Sequence, residues 1–288
     1  PMSLQNKTAT GVGLGFRREM LTDLRSSNLD AIDFFEIAPE NWIGAGGHYA
    51  ASLREFTERF PFTCHGLSLS IGSTDSLDTQ LLRNIRDFMR THQIGLYTEH
   101  LSWCSHAGHL YDLLPIPCTD EAVQWVSGRV KQVQDILEMP IGLENASYYF
   151  SPPGSQMPEA EFISAVVAES GCFLHLDVNN VYVNSRNFGF DPIEYLQSLP
   201  LHKVGYMHVA GHFVEEDGLI VDTHGADVID PVWDLLAQVY PMLSGDVREL
   251  PICLERDFNI PPVAQLIREL DHIHQLQNRF GSAQKLPA

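Results

Sequence analysis

The sequence predicts an α/β fold, a single (β/α)8 TIM barrel, on three observations. Eight short apolar or β-branched runs recur along the chain, helical-period segments separate most of them, and the polar residues within the runs gather at their C-terminal ends. Each parallel strand pair needs a covering crossover, so this alternation points to a parallel sheet. The structural runner-up is a doubly wound open sheet, but no GxGxxG follows the first run.

The runs fall at residues 11–16, 33–39, 62–70, 95–103, 141–147, 172–180, 203–211 and 251–257. After the second, Gly44-Ala45-Gly46-Gly47 reads as a flexible turn before a helix; with no lysine–serine pair it is a weak phosphate loop. Residues 77–90 have helical period. So do residues 120–138, which Thr119-Asp120-Glu121 opens with a cap and an acidic first turn. Helices are also predicted over 158–170, 231–239 and 261–276, where Pro158 and Pro261 or Pro262 suit first-turn positions. Residues 104–118 and 181–191 read as long loops, and 213–225 as a hairpin turning at Glu216-Asp217-Gly218. No linker divides the chain. The expectation is one metalloenzyme domain over residues 2–280 and a flexible tail over 281–288, with Pro1 a non-native addition before Met2.

A length of 288 residues is usual for such a barrel, and 44% hydrophobic residues supply a core. No apolar run is long enough to span a bilayer and no secretion signal is visible, so the expected compartment is the cytoplasm, with no membrane partner. Cys64, Cys104, Cys118, Cys172 and Cys253 form no CxxC pair, and three lie in apolar runs where a thiol acts as a small hydrophobe. Disulfides and thiolate metal ligation are therefore disfavoured. The net charge of −19 argues against a nucleic-acid partner, which normally meets a basic footprint.

Barrel active sites lie at the C-terminal strand ends. There the chain reads Thr63-Cys64-His65-Gly66, Thr98-Glu99-His100, Leu143-Glu144-Asn145, Leu176-Asp177-Val178-Asn179-Asn180, His208-Val209-Ala210-Gly211-His212 and Leu254-Glu255-Arg256, with Asp222-Thr223-His224 on the hairpin's return arm. Burying this many ionisable groups uncompensated costs several kcal/mol per charge, and divalent metals remove the cost. Three divalent ions would outweigh the four carboxylates of Glu144, Asp177, Asp222 and Glu255, so the pocket could attract an anion or a thiolate. Taken singly, each residue has a plainer role: a strand-end histidine is more often a structural hydrogen-bonder, and Glu144 or Glu255 could pair with Arg256. His175, two positions before Asp177, is expected deeper on the same face. His48, His92, His202, His272 and His274 are expected in solvent. Six strands each supplying such a group outweigh these separate readings.

The ordered set His65, His100, Glu144, Asp177, Asn180, His208, Asp222, His224 and Glu255 resembles the trinuclear layout of endonuclease IV-like barrels, within the xylose-isomerase-like superfamily. The resemblance implies that Glu144 bridges two metals. His65 and His100 would complete one ion, and Asp177, His208 and Glu255 the second. Asp222 and His224 would hold a third, with Asn180 where the endonuclease has histidine. That departure, together with Phe35-Glu36-Ile37-Ala38-Pro39-Glu40-Asn41-Trp42 and Cys64-His65-Gly66-Leu67-Ser68-Leu69-Ser70, makes the chain similar to the multinuclear non-haem iron-dependent oxidases that include the methanobactin-biosynthesis oxidase. The match runs from about Thr10 to Leu276.

This resemblance implies two or three iron ions (Fe2+/Fe3+) and O2 as co-substrate. It also implies a cysteine-containing precursor peptide made by the ribosome, and a leader-peptide-binding partner protein. Zinc or manganese would suit the same ligand types. One ion is expected to take the substrate cysteine as thiolate while a neighbour handles O2, with hydrogen lost from the cysteine Cβ. Catalytic roles are expected for Asp177, for Asn180 as a weak neutral ligand, and for His212 as a proton carrier or accessory ligand. Glu36 and Asn41 are expected at the mouth, and residues 105–111 and 182–190 as a peptide groove or ordinary rim packing. The rivals are a zinc-dependent phosphoesterase like endonuclease IV and a sugar isomerase or epimerase. The acidic charge and Asn180 count against the first. The second calls for a lysine beside the metals, and Lys203 starts its strand at the wrong end. A metal-storage scaffold is a third.

Overall fold

A computed structural model describes residues 7–105 and 109–281, and of residues 109–112 the backbone alone. The Pro1–Met2 start, residues 282–288 of the expected tail and His106-Ala107-Gly108 of the expected rim loop lie outside the described residues.

In chain order the elements begin β1 (Val12–Gly15), α1 (Leu21–Ser26), β2 (Phe34–Ile37), α2 (Gly47–Arg59), β3 (Phe62–His65), α3 (Thr79–His92) and β4 (Tyr97–His100). A hairpin of β5 (Trp103–Ser105) and β6 (His109–Leu114) leads to α4 (Asp120–Leu137), β7 (Gly142–Glu144), α5 (Glu159–Ser170) and β8 (Phe173–Asp177). There follow α6 (Val178–Phe188), α7 (Pro192–Ser198), β9 (Val204–Ala210) and the hairpin of β10 (Phe213–Val214) and β11 (Ile220–Val221). The chain continues through α8 (Asp230–Val239), β12 (Ile252–Glu255) and α9 (Val263–Gly281). β1, β2, β3, β4, β7, β8, β9 and β12 pair in parallel in that order and close on one another. This is the expected eight-stranded β/α barrel, and each barrel strand falls inside a predicted run. Among the described residues no helix is long and apolar enough to cross a membrane.

Local chemistry sets the helix ends. Thr119 accepts the Ala122 N–H at 3.1 Å to start α4, and Asp78 caps α3 through the Leu81 N–H at 2.9 Å. Pro158 sits at the cap of α5 rather than inside its first turn. The predicted hairpin turns at Gly218, whose φ of +90° needs glycine.

Two predicted loops are corrected. Residues 104–118 hold the β5–β6 hairpin. Residues 178–180, read as the end of a strand, are the first turn of α6, which runs on through most of the 181–191 segment. Asp177 causes the switch: its Oδ1 accepts the Asn180 N–H at 2.7 Å, an N-cap, and left-handed Gly189 ends the 11-residue helix. All five cysteines are buried and free, as the composition predicts.

The pleat explains where the site lies. Successive side chains on a strand alternate between the barrel interior and the helix layer, so residues two apart stack inside. Phe34, Thr63, Thr98, Gly142, His175, Tyr206 and Cys253 form one interior layer. Glu36, His65, His100, Glu144, Asp177, His208 and Glu255 form the next layer up, toward the C-terminal mouth. Gly142 is required in the lower layer: a Cβ there would lie 2.4 Å from the Phe173 ring and 2.7 Å from Thr98 Cγ2.

Candidate metal centre

The upper layer brings imidazoles and carboxylates into contact. His65 Nε2 and His100 Nε2 lie 3.1 Å apart, and 3.2 and 3.3 Å from Glu144 Oε2. The other Glu144 oxygen, Oε1, lies 3.3 Å from His208 Nδ1. His208 Nδ1 is also 3.0 Å from Glu255 Oε2 and 3.8 Å from Asp177 Oδ2. Nearer the mouth, His224 Nε2 is 2.8 Å from Asp222 Oδ1, and His224 Nδ1 is 3.5 Å from Glu255 Oε2. The structure therefore holds three donor groups, with Glu144 facing the first two and Glu255 facing the second and third. Of the residues predicted from sequence, His65, His100, Glu144, Asp177, His208, Asp222, His224 and Glu255 are brought together here.

Hydrogen bonds on the far ring nitrogens fix which lone pairs face inward. A carbonyl or carboxylate oxygen only accepts, so its imidazole partner must donate. His100 Nδ1 faces the Gly66 carbonyl at 3.1 Å and Glu99 Oε1 at 3.2 Å. His208 Nε2 donates to Glu36 Oε2 at 2.6 Å, and His224 Nδ1 to Asp257 Oδ2 at 3.1 Å. His65 Nδ1 meets Thr98 Oγ1 at 2.8 Å. For His100, His208 and His224 the remaining nitrogen faces carboxylate oxygens, an arrangement that repels unless a proton or a metal ion lies between.

The same demand shows in the atoms left without hydrogen bonds. Glu144 Oε2, Asp177 Oδ2, Asn180 Oδ1, His208 Nδ1, His224 Nε2 and Glu255 Oε2 are all buried and unpartnered. Such groups cost far more buried alone than paired. A set of imidazole nitrogens and carboxylate oxygens meeting at ligand spacing fits divalent transition metals. Charge tells the same story. Burial, together with the Glu144, Asp222 and Glu255 charges, drives the Asp177 pKa well above the usual carboxylate range. Burial opposes a charge on His208, but Glu255 and Glu36 outweigh it and hold its pKa well above that of free histidine. For His100, burial is likewise overcome by Glu144 and Glu99, which push its pKa to about 9. A proton or a metal must serve each of these nitrogens.

Several residues behave differently from their sequence reading. Glu36 does not line the mouth; it is a buried residue of β2, accepting from Tyr206 Oη at 2.6 Å as well as from His208. Asn41 remains exposed at the rim. His175 is deep, as expected, yet its Nε2 comes within 4.0 Å of Glu144 Oε1 and neither ring nitrogen has a hydrogen-bond partner. Burial and the neighbouring His208 keep it neutral. Asn180 spends its amide on the Asn145 carbonyl at 3.0 Å, which leaves Oδ1 free. Asn179, which the sequence left without a role, donates to Asp222 Oδ1 and accepts from His212 Nδ1, both at 2.8 Å. His212 stacks on Tyr182, and burial lowers its pKa. Of the histidines expected in solvent, His48 and His202 are exposed. His92 meets Thr57 Oγ1 at 3.1 Å, His274 donates to the Ala31 carbonyl at 3.0 Å, and His272 packs on Trp233. The 182–190 stretch is mostly helix, in α6.

Sequence comparison adds an independent line. A family model described as the RiPP precursor modification enzyme MbnB/TglH/ChrH matches residues 11–278. A UPF0276 protein of Nitrosospira multiformis is 59% identical over 272 residues, covering 94% of this chain and 95% of the relative. One from Pseudomonas aeruginosa is 49% identical over 281 residues, covering 98% and 97%. Among solved structures, a D-tagatose 3-epimerase-like protein superposes with TM-score 0.59 at 13% identity, covering 93% of this chain and 98% of that one. A D-psicose 3-epimerase superposes with TM-score 0.56 at 11% identity, covering 96% and 98%. At these identities the structural likeness establishes the fold, an eight-stranded β/α barrel, and nothing of the chemistry.

Proposed function

The chain belongs to the MbnB/TglH/ChrH family of RiPP precursor modification enzymes, and from that premise we propose that it is an iron- and O2-dependent oxidase of peptide cysteines. Its substrate is a cysteine-containing, ribosomally made precursor, presented in the cytoplasm by a leader-peptide-binding partner protein. The observation that carries the reading is the set of buried, unpartnered donor atoms on either side of Glu144.

In this reading His65, His100 and Glu144 would hold the first ion. Glu144, Asp177, His208 and Glu255 would hold the second, and Asp222, His224 and Asn180 the third. When bound, iron supplies the redox capacity and the Lewis acidity that lowers a thiol pKa. The chain's own residues set the conditions. Glu36, Glu99 and Asp257 fix the imidazole orientations, a recurrent support for metal ligands. Burial of Asp177, His208 and Glu144 excludes water from the lower side of the site. Asn145 holds β8 in place, accepting the Asp177 N–H at 2.8 Å and donating to its carbonyl at 3.0 Å. His212, tethered to Asp222 through Asn179, would accept a proton at Nε2 in this reading.

The test is elemental analysis with Mössbauer spectroscopy on anaerobically purified protein, followed by O2 and a cysteine-containing precursor peptide. Two or three coupled irons per chain and oxidation of the cysteine are expected. Stoichiometric zinc with cleavage of abasic DNA would replace this reading with the phosphoesterase.

A further inference from the structure

A half-open pocket of about 170 Å³ lies between the metal centre and α5. Leu101, Ile116, Ala146, Met157, Phe162 and Ile163 give it an apolar wall. Its inner side is made by the two strand ends that carry the metal ligands. Leu101 follows His100 directly, and its N–H donates to the Glu144 carbonyl at 3.0 Å. Asn145, Ala146 and Ser147 follow Glu144, and Ser147 Oγ donates to Asp222 Oδ2 at 3.0 Å. The pocket and the metal centre therefore share a wall, and both lie on the C-terminal face of the barrel. The Glu159 carboxyl also lines the pocket; it accepts from the Tyr195 hydroxyl, and burial raises its pKa. Apolar cavities of about 150 Å³ hold a benzene ring in preference to water. This pocket is of similar size, its apolar wall completed by polar groups of Asn145, Ser147, Tyr148, Ser155 and Glu159.

We propose that the pocket takes an apolar side chain, leucine- to phenylalanine-sized, from a residue one or two positions away from the cysteine at the metal centre. The inference rests on the reading of the substrate as a cysteine-containing peptide, and makes the pocket its specificity site. Consecutive Cα atoms are about 3.8 Å apart, so neighbouring residues of one peptide can serve two adjoining sites. Placing such a side chain in the pocket removes its apolar surface from water, which corresponds to roughly 10- to 100-fold in affinity.

The experiment uses acetylated Gly-Gly-Cys-Gly-Gly amides with leucine, phenylalanine, lysine or aspartate replacing each glycine in turn. Binding to metal-loaded protein is measured anaerobically by calorimetry, so no turnover is needed. Leucine or phenylalanine at one position should bind roughly 10- to 100-fold more tightly than the all-glycine peptide. Ile163→Phe and Met157→Trp, which narrow the pocket from α5 and from the loop before it, should each abolish that preference. Both should leave metal content and all-glycine affinity unchanged. Equal binding across the series, or a preference that survives both variants, overturns the proposal. A preference for lysine also overturns it and makes Glu159 the anchor instead. A parallel series with serine in place of cysteine separates the two readings. An apolar preference that persists there upholds the pocket even if iron analysis and cysteine oxidation go against the oxidase.

Discussion

His208 and Glu36, 172 residues apart in sequence, meet inside the barrel with Nε2 and Oε2 at 2.6 Å. Glu36 also accepts from Tyr206 Oη, which in turn lies 3.0 Å from Thr63 Oγ1. Because Glu36 can only accept while ionised, His208 carries its proton on Nε2 and turns Nδ1 toward Glu144, Asp177 and Glu255. The pair lies within the metal layer, and Tyr206 ties it to the interior layer below.

Glu36→Gln should therefore weaken metal binding without unfolding the barrel. An amide can donate as well as accept, so the His208 tautomer is no longer imposed. Loss of such a support typically lowers metal affinity 10–100-fold. Chelator competition followed by elemental analysis measures it, with circular dichroism as the check on folding. Retention equal to wild type would show that Glu36 is merely a buried acid.

The barrel was legible because its signals are local and periodic: apolar runs, helix caps and turn glycines. The ligands were legible because strand-end position is itself a prediction of convergence. The supports were not. Glu36 and His208 share no sequence neighbourhood, and Asp257, which holds His224, ends the last run with nothing in the sequence to tie it to a residue 33 positions earlier. Residues 178–180 look like strand in sequence because Val-Asn-Asn after an apolar strand continues its pattern. Only the cap formed by Asp177, with Gly189 marking the far end, signals a helix. Asn179 gained its role through that helix, which turns it toward Asp222 and His212.

Asp222→Ala should remove one ion and leave the others. Its carboxylate lies with His224 at 2.8 Å, outside the pair of groups that Glu144 joins. Glu144→Ala should instead lose two, and His65→Ala should take metal and activity down together. Metal-to-protein ratios after desalting distinguish the cases. Equal metal content in Asp222→Ala and wild type would exclude a third ion at this position.

Asp177→Asn should change stability in opposite directions with and without metal. In the metal-free protein the carboxylate is buried beside Glu144, Asp222 and Glu255, and neutralising it relieves both desolvation and repulsion. Asparagine caps a helix as well as aspartate, so α6 keeps its start. The metal-free melting temperature should rise. The increment that Fe(II) or Mn(II) adds to wild type should shrink, since it grows with the logarithm of metal over dissociation constant. Thermal denaturation with and without metal tests both signs, and an undiminished metal increment would remove Asp177 from the ligand set.

Glu159 offers a pH test away from the metals. Burial raises its pKa above 4.5, and hydrogen bonds from Tyr195 and Tyr148 offset only part of that rise. For an acid with a raised folded-state pKa, folding favours the protonated form. Stability from this group is full below the unfolded value of 4.5 and is lost as pH rises through the folded value. Glu159→Gln keeps an oxygen for the tyrosine hydroxyls and cannot ionise. In metal-free protein its melting temperature should exceed wild type at pH 8, and the gap should close as pH falls below about 4.5. A gap that widens in acid would mean that Tyr148 and Tyr195 stabilise the ionised carboxylate, and would place a full negative charge at the wall of the apolar pocket.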